Sequence, residues 1–154
     1  MVLSLKGLTR NYMENQLLID TWGWLALRDR QEREHDNVNT FFQDFLNKHG
    51  IIYTTDYILD ETFTMLYRRL SLSLAKESIE LIDNSIIKGY VILEWITPSR
   101  FEKAKQFRLR FNDKPMVSFT DLTSMLVMKD LNINRILTED EHFLHVGMGF
   151  NKTP

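Results

Sequence analysis

The chain has no cysteine in its 154 residues, so disulfides, thiolate metal sites and thiol nucleophiles are all excluded. No apolar run approaches the roughly 20 residues that a membrane-spanning helix needs. The opening segment, Met1-Val-Leu-Ser-Leu-Lys6-Gly7-Leu8, has too short an apolar core and the wrong order of charges for a secretory signal. A cytoplasmic location with no membrane contact is the expectation. There is no basic excess either: 19 Lys and Arg face 21 Asp and Glu, a net charge of -2. That is not the balance of a general nucleic-acid binder, although acids neutralised by a metal and basic residues gathered elsewhere would be compatible with one. Internal repeats, low-complexity tracts and linkers are missing. What is there is ordinary: 44% hydrophobic and 26% charged residues, enough for one domain with a proper core.

Gln16-Leu-Leu-Ile-Asp20-Thr-Trp-Gly-Trp24 organises the chain. Its short apolar run fits a strand buried on both faces. The acid then lies at the carboxyl end, the rim where open α/β sheets bind ligands. The same grammar returns in Arg135-Ile-Leu-Thr-Glu-Asp140. Between them, Ile51–Thr55 and Tyr90–Ile96 read as further strands. Helices are predicted after Gly23, from an Asp36 cap through Lys48, around Leu59–Leu70, around Ala75–Ile86, from a Ser99 cap to Arg110, and from Ser118 to Leu131. Gly147–Phe150 adds an edge strand or simply packs. The alternation predicts an α/β fold with a mostly parallel sheet. Residues 1–15 read as an N-terminal extension, with Met13 a candidate natural start, and residues 16–154 as one domain.

Four acids fall on the carboxyl side of this sheet: Asp20, Glu61, Asp121 and Asp140. Each has an ordinary structural explanation. Asp20 can be a turn acid, and Glu61 suits an early helical turn through the macrodipole. Ser118-x-x-Asp121 is close to a capping box, and Asp140 sits in a polar loop. Together they say more. Unit charges about 4 Å apart repel by roughly 4 kcal/mol at an effective dielectric near 20. Converging carboxylates must either gain protons or bind a hard cation. An all-oxygen, cysteine-free site suits Mg²⁺ or Mn²⁺ rather than zinc. His35, His49, His142 and His145 form no zinc signature, and His142 beside Asp140 is expected to pack or hydrogen-bond.

The motifs Leu-Leu-Ile-Asp20-Thr, Leu59-Asp-Glu61-Thr-Phe-Thr-Met-Leu66, Ser118-Phe-Thr-Asp121-Leu-Thr-Ser-Met125 and Ile136-Leu-Thr-Glu-Asp140-Glu-His-Phe143, with Gly149-Phe150, occur in this order. Over about residues 16–150 the chain resembles a PIN-domain ribonuclease, in particular the toxin of a VapC-like toxin–antitoxin pair. The resemblance implies a three-layer α/β/α sandwich and a Mg²⁺- or Mn²⁺-dependent endoribonuclease. It also implies a homodimer, an RNA substrate and a small cognate antitoxin. Asp20, Glu61, Asp121 and Asp140 match the family's metal-site acids, and Thr138 the hydroxyl residue that positions the last of them. Asp60 is not expected to be the family acid, because Glu is the usual type there. Trp22 and Trp24 are bulkier than the small residues often found after the first Asp, which bears on the shape of the substrate groove.

The cations expected to meet RNA are Arg100, Lys103, Lys105, Arg108 and Arg110, with Arg68-Arg69; their ordinary explanation is a solvated helix face. Phe41, Phe42, Phe45 and Met65 are candidates for an antitoxin groove, with core packing as the alternative. A second reading is a non-catalytic RNA- or protein-binding module with an acidic metal pocket. A third, a phospho-acceptor domain, would want paired acids after the first strand and a lysine after the last. Here Asp20 stands alone, and Glu139 to Glu141 replace the lysine.

Overall fold

The computed structural model describes residues 15–154, so the expected extension and Met13 lie outside the described residues. Among these residues five strands alternate with seven helices. The strands are β1 (Gln16–Ile19), β2 (Ile51–Thr55), β3 (Val91–Glu94), β4 (Arg135–Leu137) and β5 (Asn151–Thr153). The helices are α1 (Thr21–Arg28), α2 (His35–Asn47), α3 (Asp56–Arg69), α4 (Leu72–Ile87), α5 (Pro98–Arg110), α6 (Phe119–Leu131) and α7 (His142–His145). All strand pairs are parallel, in the order β3-β2-β1-β4-β5.

β1 is central because every residue in it is buried, with Leu17, Leu18 and Ile19 fully enclosed. Only a strand covered on both faces and paired on both edges can use such a run. From β1 the chain steps to β2 and β3, then crosses back to β4 on β1's other edge. Right-handed crossovers therefore place α1–α4 on one face and α5–α7 on the other, giving three layers. The contacts agree: α1 packs on α2 and α3, α3 on α4, and α5 on α6. The crevice between the carboxyl ends of β1 and β4 is the switch point of the strand order, where such sheets receive ligands.

Several boundaries moved. The expected cap at Asp36 gives way to a helix already formed at His35, after Glu34. Thr97, not Ser99, caps α5: its side chain accepts from the Arg100 N–H, and Pro98 takes the first turn, where its missing N–H costs nothing. The last strand is Asn151–Thr153, beyond the expected Gly147–Phe150. Phe150 is buried and meets Phe143 edge to face at 6.4 Å. The two glycines in that segment have positive φ, so they form the turn that aims Phe150 inward rather than a strand.

Gly23 sets how closely α1 lies on the sheet. A Cβ there would stand 2.8 Å from the Leu137 carbonyl and 2.9 Å from the Ile19 side chain. Gly23→Ala should therefore destabilise the fold by about 1–3 kcal/mol through overpacking, read as a lower urea midpoint at unchanged m-value.

Candidate metal centre

Asp20 follows β1 directly and Thr138 follows β4. The register pairs Ile19 with Leu137, so the two residues arrive side by side. The Asp20 N–H donates to the Leu137 carbonyl at 3.2 Å, and Thr138 Oγ1 donates to Asp20 Oδ2 at 2.9 Å. That bond joins residues 118 apart in sequence. The same Thr138 oxygen accepts the Asp140 N–H at 3.1 Å, and Asp140 Oδ1 accepts the His142 N–H at 2.8 Å. One hydroxyl thus positions both strand-end acids.

The other two acids come from opposite layers. Asp121 is the third residue of α6 and closes a capping box: its N–H donates to Ser118 Oγ, and its Oδ2 accepts the Ser118 N–H, each at 3.0 Å. Glu61 lies on α3. Thr21 Oγ1 stands 3.1 Å from Glu61 Oε2 and 3.4 Å from the Ile58 carbonyl, and its single proton goes to the nearer acceptor. One oxygen of every carboxylate is therefore held by a donor of the chain. The neighbouring Asp60 lines a separate apolar groove.

Electrostatics register the convergence. The Asp20 carboxyl is 8% exposed and is pushed from its ordinary 3.8 up to about 7. Desolvation is the main cause, the Asp121 and Glu61 charges add to it, and the Thr21 N–H and Thr138 hydroxyl oppose it. Asp121 is also raised, first by burial, then by Asp140 and Glu61, against the Ser118 bonds. Asp20 thus feels the charges of Asp121 and Glu61, and Asp121 those of Asp140 and Glu61. Asp121 and Asp140 each offer an oxygen, and His142 a ring nitrogen, all within 4.8 Å of one another. This hard, oxygen-rich donor set fits a divalent cation such as Mg²⁺ or Mn²⁺.

The other candidates are distributed differently. Arg100 is committed to Glu94 at 2.9 Å, Asp130 at 3.6 Å and the Trp95 carbonyl at 2.8 Å. Arg108 turns into the loop after α5, where its guanidinium donates to the carbonyls of Phe111, Lys114 and Val117. Neither is a solvated cation waiting for phosphate. Lys103, Lys105 and Arg110 are exposed, with Lys105 beside Glu102 and Arg110 stacked over Phe111. Arg68 and Arg69 are exposed on α3, and Arg69 pairs with Glu32. Of the residues expected in an antitoxin groove, Phe45 is buried and Phe41, Phe42 and Met65 lie half-buried against the core, Phe42 also lining a separate pocket with Leu46 and Tyr90. Trp24 is also core, its indole N–H donating to Thr54 Oγ1 at 3.1 Å, so it does not shape the rim. Thr21 was missed as a site residue; its place directly after Asp20 was the available signal.

The parallel five-stranded sheet with acids at its switch point is the frame of a PIN-type nuclease, and the chain belongs to the PIN domain family, whose model matches residues 17–148. Among characterised proteins it is similar to the 23S rRNA-specific endonuclease VapC20 of Mycobacterium tuberculosis, in both the CDC 1551 / Oshkosh and the ATCC 25618 / H37Rv strains. The two chains are 25% identical over 131 residues, 85% of this chain and 94% of the relative. The crystal structure of M. tuberculosis VapC20, described as a sarcin–ricin loop cleaving toxin, superposes with a TM-score of 0.72 at 24% identity, covering 85% of this chain and 95% of that one.

The raised Asp20 carboxyl predicts a pH dependence. The folded value lies above the unfolded one, so the native state holds a proton that the unfolded chain has released. Without divalent metal, stability should then fall as pH rises from about 4 to about 7, by an amount on the order of 4 kcal/mol, and level off above. Asp20→Asn should flatten that fall and melt above the wild type at pH 8, as read by thermal unfolding in chelator.

Proposed function

We propose that this protein is a metal-dependent endoribonuclease that hydrolyses RNA phosphodiester bonds and serves as the toxin of a toxin–antitoxin pair. The observation that carries the reading is the set of four carboxylates, each with one oxygen held by the chain, at the switch point of a PIN-family sheet. The 23S rRNA specificity of the similar VapC20 supports RNA as the substrate class.

Asp20, Glu61, Asp121 and Asp140 would hold one or two Mg²⁺ or Mn²⁺ ions. Such an ion, when bound, supplies a Lewis acid that lowers the pKa of water and offsets charge on phosphate. The chain's part is positioning. Thr138 keeps Asp20 and Asp140 in fixed relation, the Ser118 box does the same for Asp121, and Thr21 for Glu61. Because these donors are in place before substrate arrives, little reorganisation accompanies the reaction. Lys103, Lys105 and Arg110 remain as exposed cations for the RNA backbone. The reading carries a homodimer and a cytoplasmic setting with it. No helix among the described residues is long and apolar enough to cross a membrane.

The antitoxin would dock in the groove of about 480 Å³ lined by Leu59, Phe63, Ile86, Leu93 and Trp95. Asp56, Asp60 and Asp83 edge this apolar floor, which complements an amphipathic helix carrying basic residues. Asp60 borders the groove and Glu61 the acid cluster, so an occupant lies beside the site.

The decisive test is Asp20→Asn, which should lose Mg²⁺- or Mn²⁺-dependent RNA cleavage by at least about a hundredfold while keeping the wild-type circular dichroism spectrum. Undiminished cleavage would exclude the nuclease reading, and metal binding without cleavage in the wild type would favour a non-catalytic module. For the groove, Ile87→Glu changes a side chain 80% exposed. Co-expressed with a small antitoxin that inhibits the wild type, this variant should still cleave RNA but escape inhibition and co-purification; retained binding would reject the groove.

A further inference from the structure

The acid cluster contains a group that is not an acid. His142 opens α7, two residues after Asp140. Its Nδ1 is fully buried and has no hydrogen-bond partner, although it lies only 3.0 Å from Asp140 Oδ1. The two atoms are close but misaligned for a hydrogen bond. Meanwhile Oδ1 is already used by the His142 backbone N–H at 2.8 Å. A buried imidazole nitrogen with a carboxylate beside it but no aligned hydrogen bond is under-satisfied, so its position calls for a further partner.

A separation of 3.0 Å is also the spacing of adjacent ligands around a metal about 2.1 Å from each, the edge of an octahedron. The third side of the arrangement is Asp121: one oxygen of Asp121, one of Asp140 and one ring nitrogen of His142 all lie within 4.8 Å of one another. The backbone bond to Asp140 fixes the short link between the two residues, so the ring and the carboxylate are presented as a unit. The His142 side chain is about one-third exposed, which leaves the site reachable from solvent.

We propose that His142 is a nitrogen ligand of the divalent ion held by Asp121 and Asp140, and that it biases this centre toward Mn²⁺ and later first-row ions over Mg²⁺. The inference rests on the metal-site reading above and deepens it. Imidazole binds first-row transition ions well, whereas Mg²⁺ keeps oxygen ligands and much of its water. One nitrogen among carboxylates therefore separates ions that an all-oxygen site would treat more alike.

Pulsed electron paramagnetic resonance of the full-length chain loaded with Mn²⁺, with and without ¹⁵N-histidine labelling, reads the bond directly. The wild type should show nitrogen hyperfine coupling that changes with the label and disappears in His142→Gln. By calorimetry that variant should bind Mn²⁺ about tenfold or more weakly, while its Mg²⁺ affinity moves by less than about threefold. His142→Asn serves the same comparison if the glutamine variant melts early. Mn²⁺ binding that Asp121→Asn abolishes, but without nitrogen coupling, would overturn the role of His142 and leave the metal site standing. Coupling that survives in both His142 variants would overturn it too. No Mn²⁺ binding by the wild type at all would overturn the metal-site reading itself.

Discussion

Acids gathered at the carboxyl rim of the sheet, with one of them buried, are the constraint on which this molecule is built. Asp20 sits at the end of the most buried strand, and its neighbours across the crevice are three further carboxylates. Left alone, such a cluster opposes folding, because Asp20 and Asp121 lose solvation and feel the charges of their neighbours. The chain answers with donors rather than with counter-charges: a threonine hydroxyl for Asp20, a backbone N–H each for Asp121 and Asp140, and a second threonine for Glu61. None of these bonds neutralises the cluster. They orient it and leave its charge in place.

Stability comes from elsewhere. Leu17, Leu18 and Ile19 are fully buried, with Ile52, Ile136 and Leu137 beside them in the sheet and Met125 and Met128 on α6. This apolar frame tolerates the Asp20 carboxyl at its edge. A local departure from the rule that buried charge is paired, in an otherwise consistent fold, is the physical mark of a working site.

The positive charges divide in the same spirit. On α5 the sequence shows a run of cations on one outer face, yet two of them are structural. Arg100 ties β3 to α5 and α6 through Glu94 and Asp130. Arg108 gathers three carbonyls of the loop that leads into Ser118 and the Asp121 cap. The Phe111 and Lys114 carbonyls also accept backbone N–H groups of the loop's own turns, and a guanidinium's fork of donors ties all three carbonyls together. The cations left exposed are Lys103, Lys105 and Arg110.

Local chemistry was legible in the residues themselves. The β1 run, the helix stripes, the Ser118–Asp121 box and the parallel alternation follow from burial period and capping, which act over a few residues. The order of the four motifs carried the family resemblance. Other features depended on what packs against a residue or on which of two neighbouring signals the backbone takes. Phe45 is core because α2 packs on α1 and its ring lies against Gly50, Arg108 turns onto the carbonyls of its own loop, and Thr97 caps α5 with Pro98 in the first turn. Ser99 offered a similar signal and was not used. The amino-acid sequence by itself determined which side chains are acids and on which ends of which elements they stand. Only the tertiary structure decided that Asp20 stands beside Thr138 and, through that hydroxyl, Asp140, because the strand order and the Ile19–Leu137 register bring residues 118 apart within one hydrogen bond, and no local rule specifies strand neighbours.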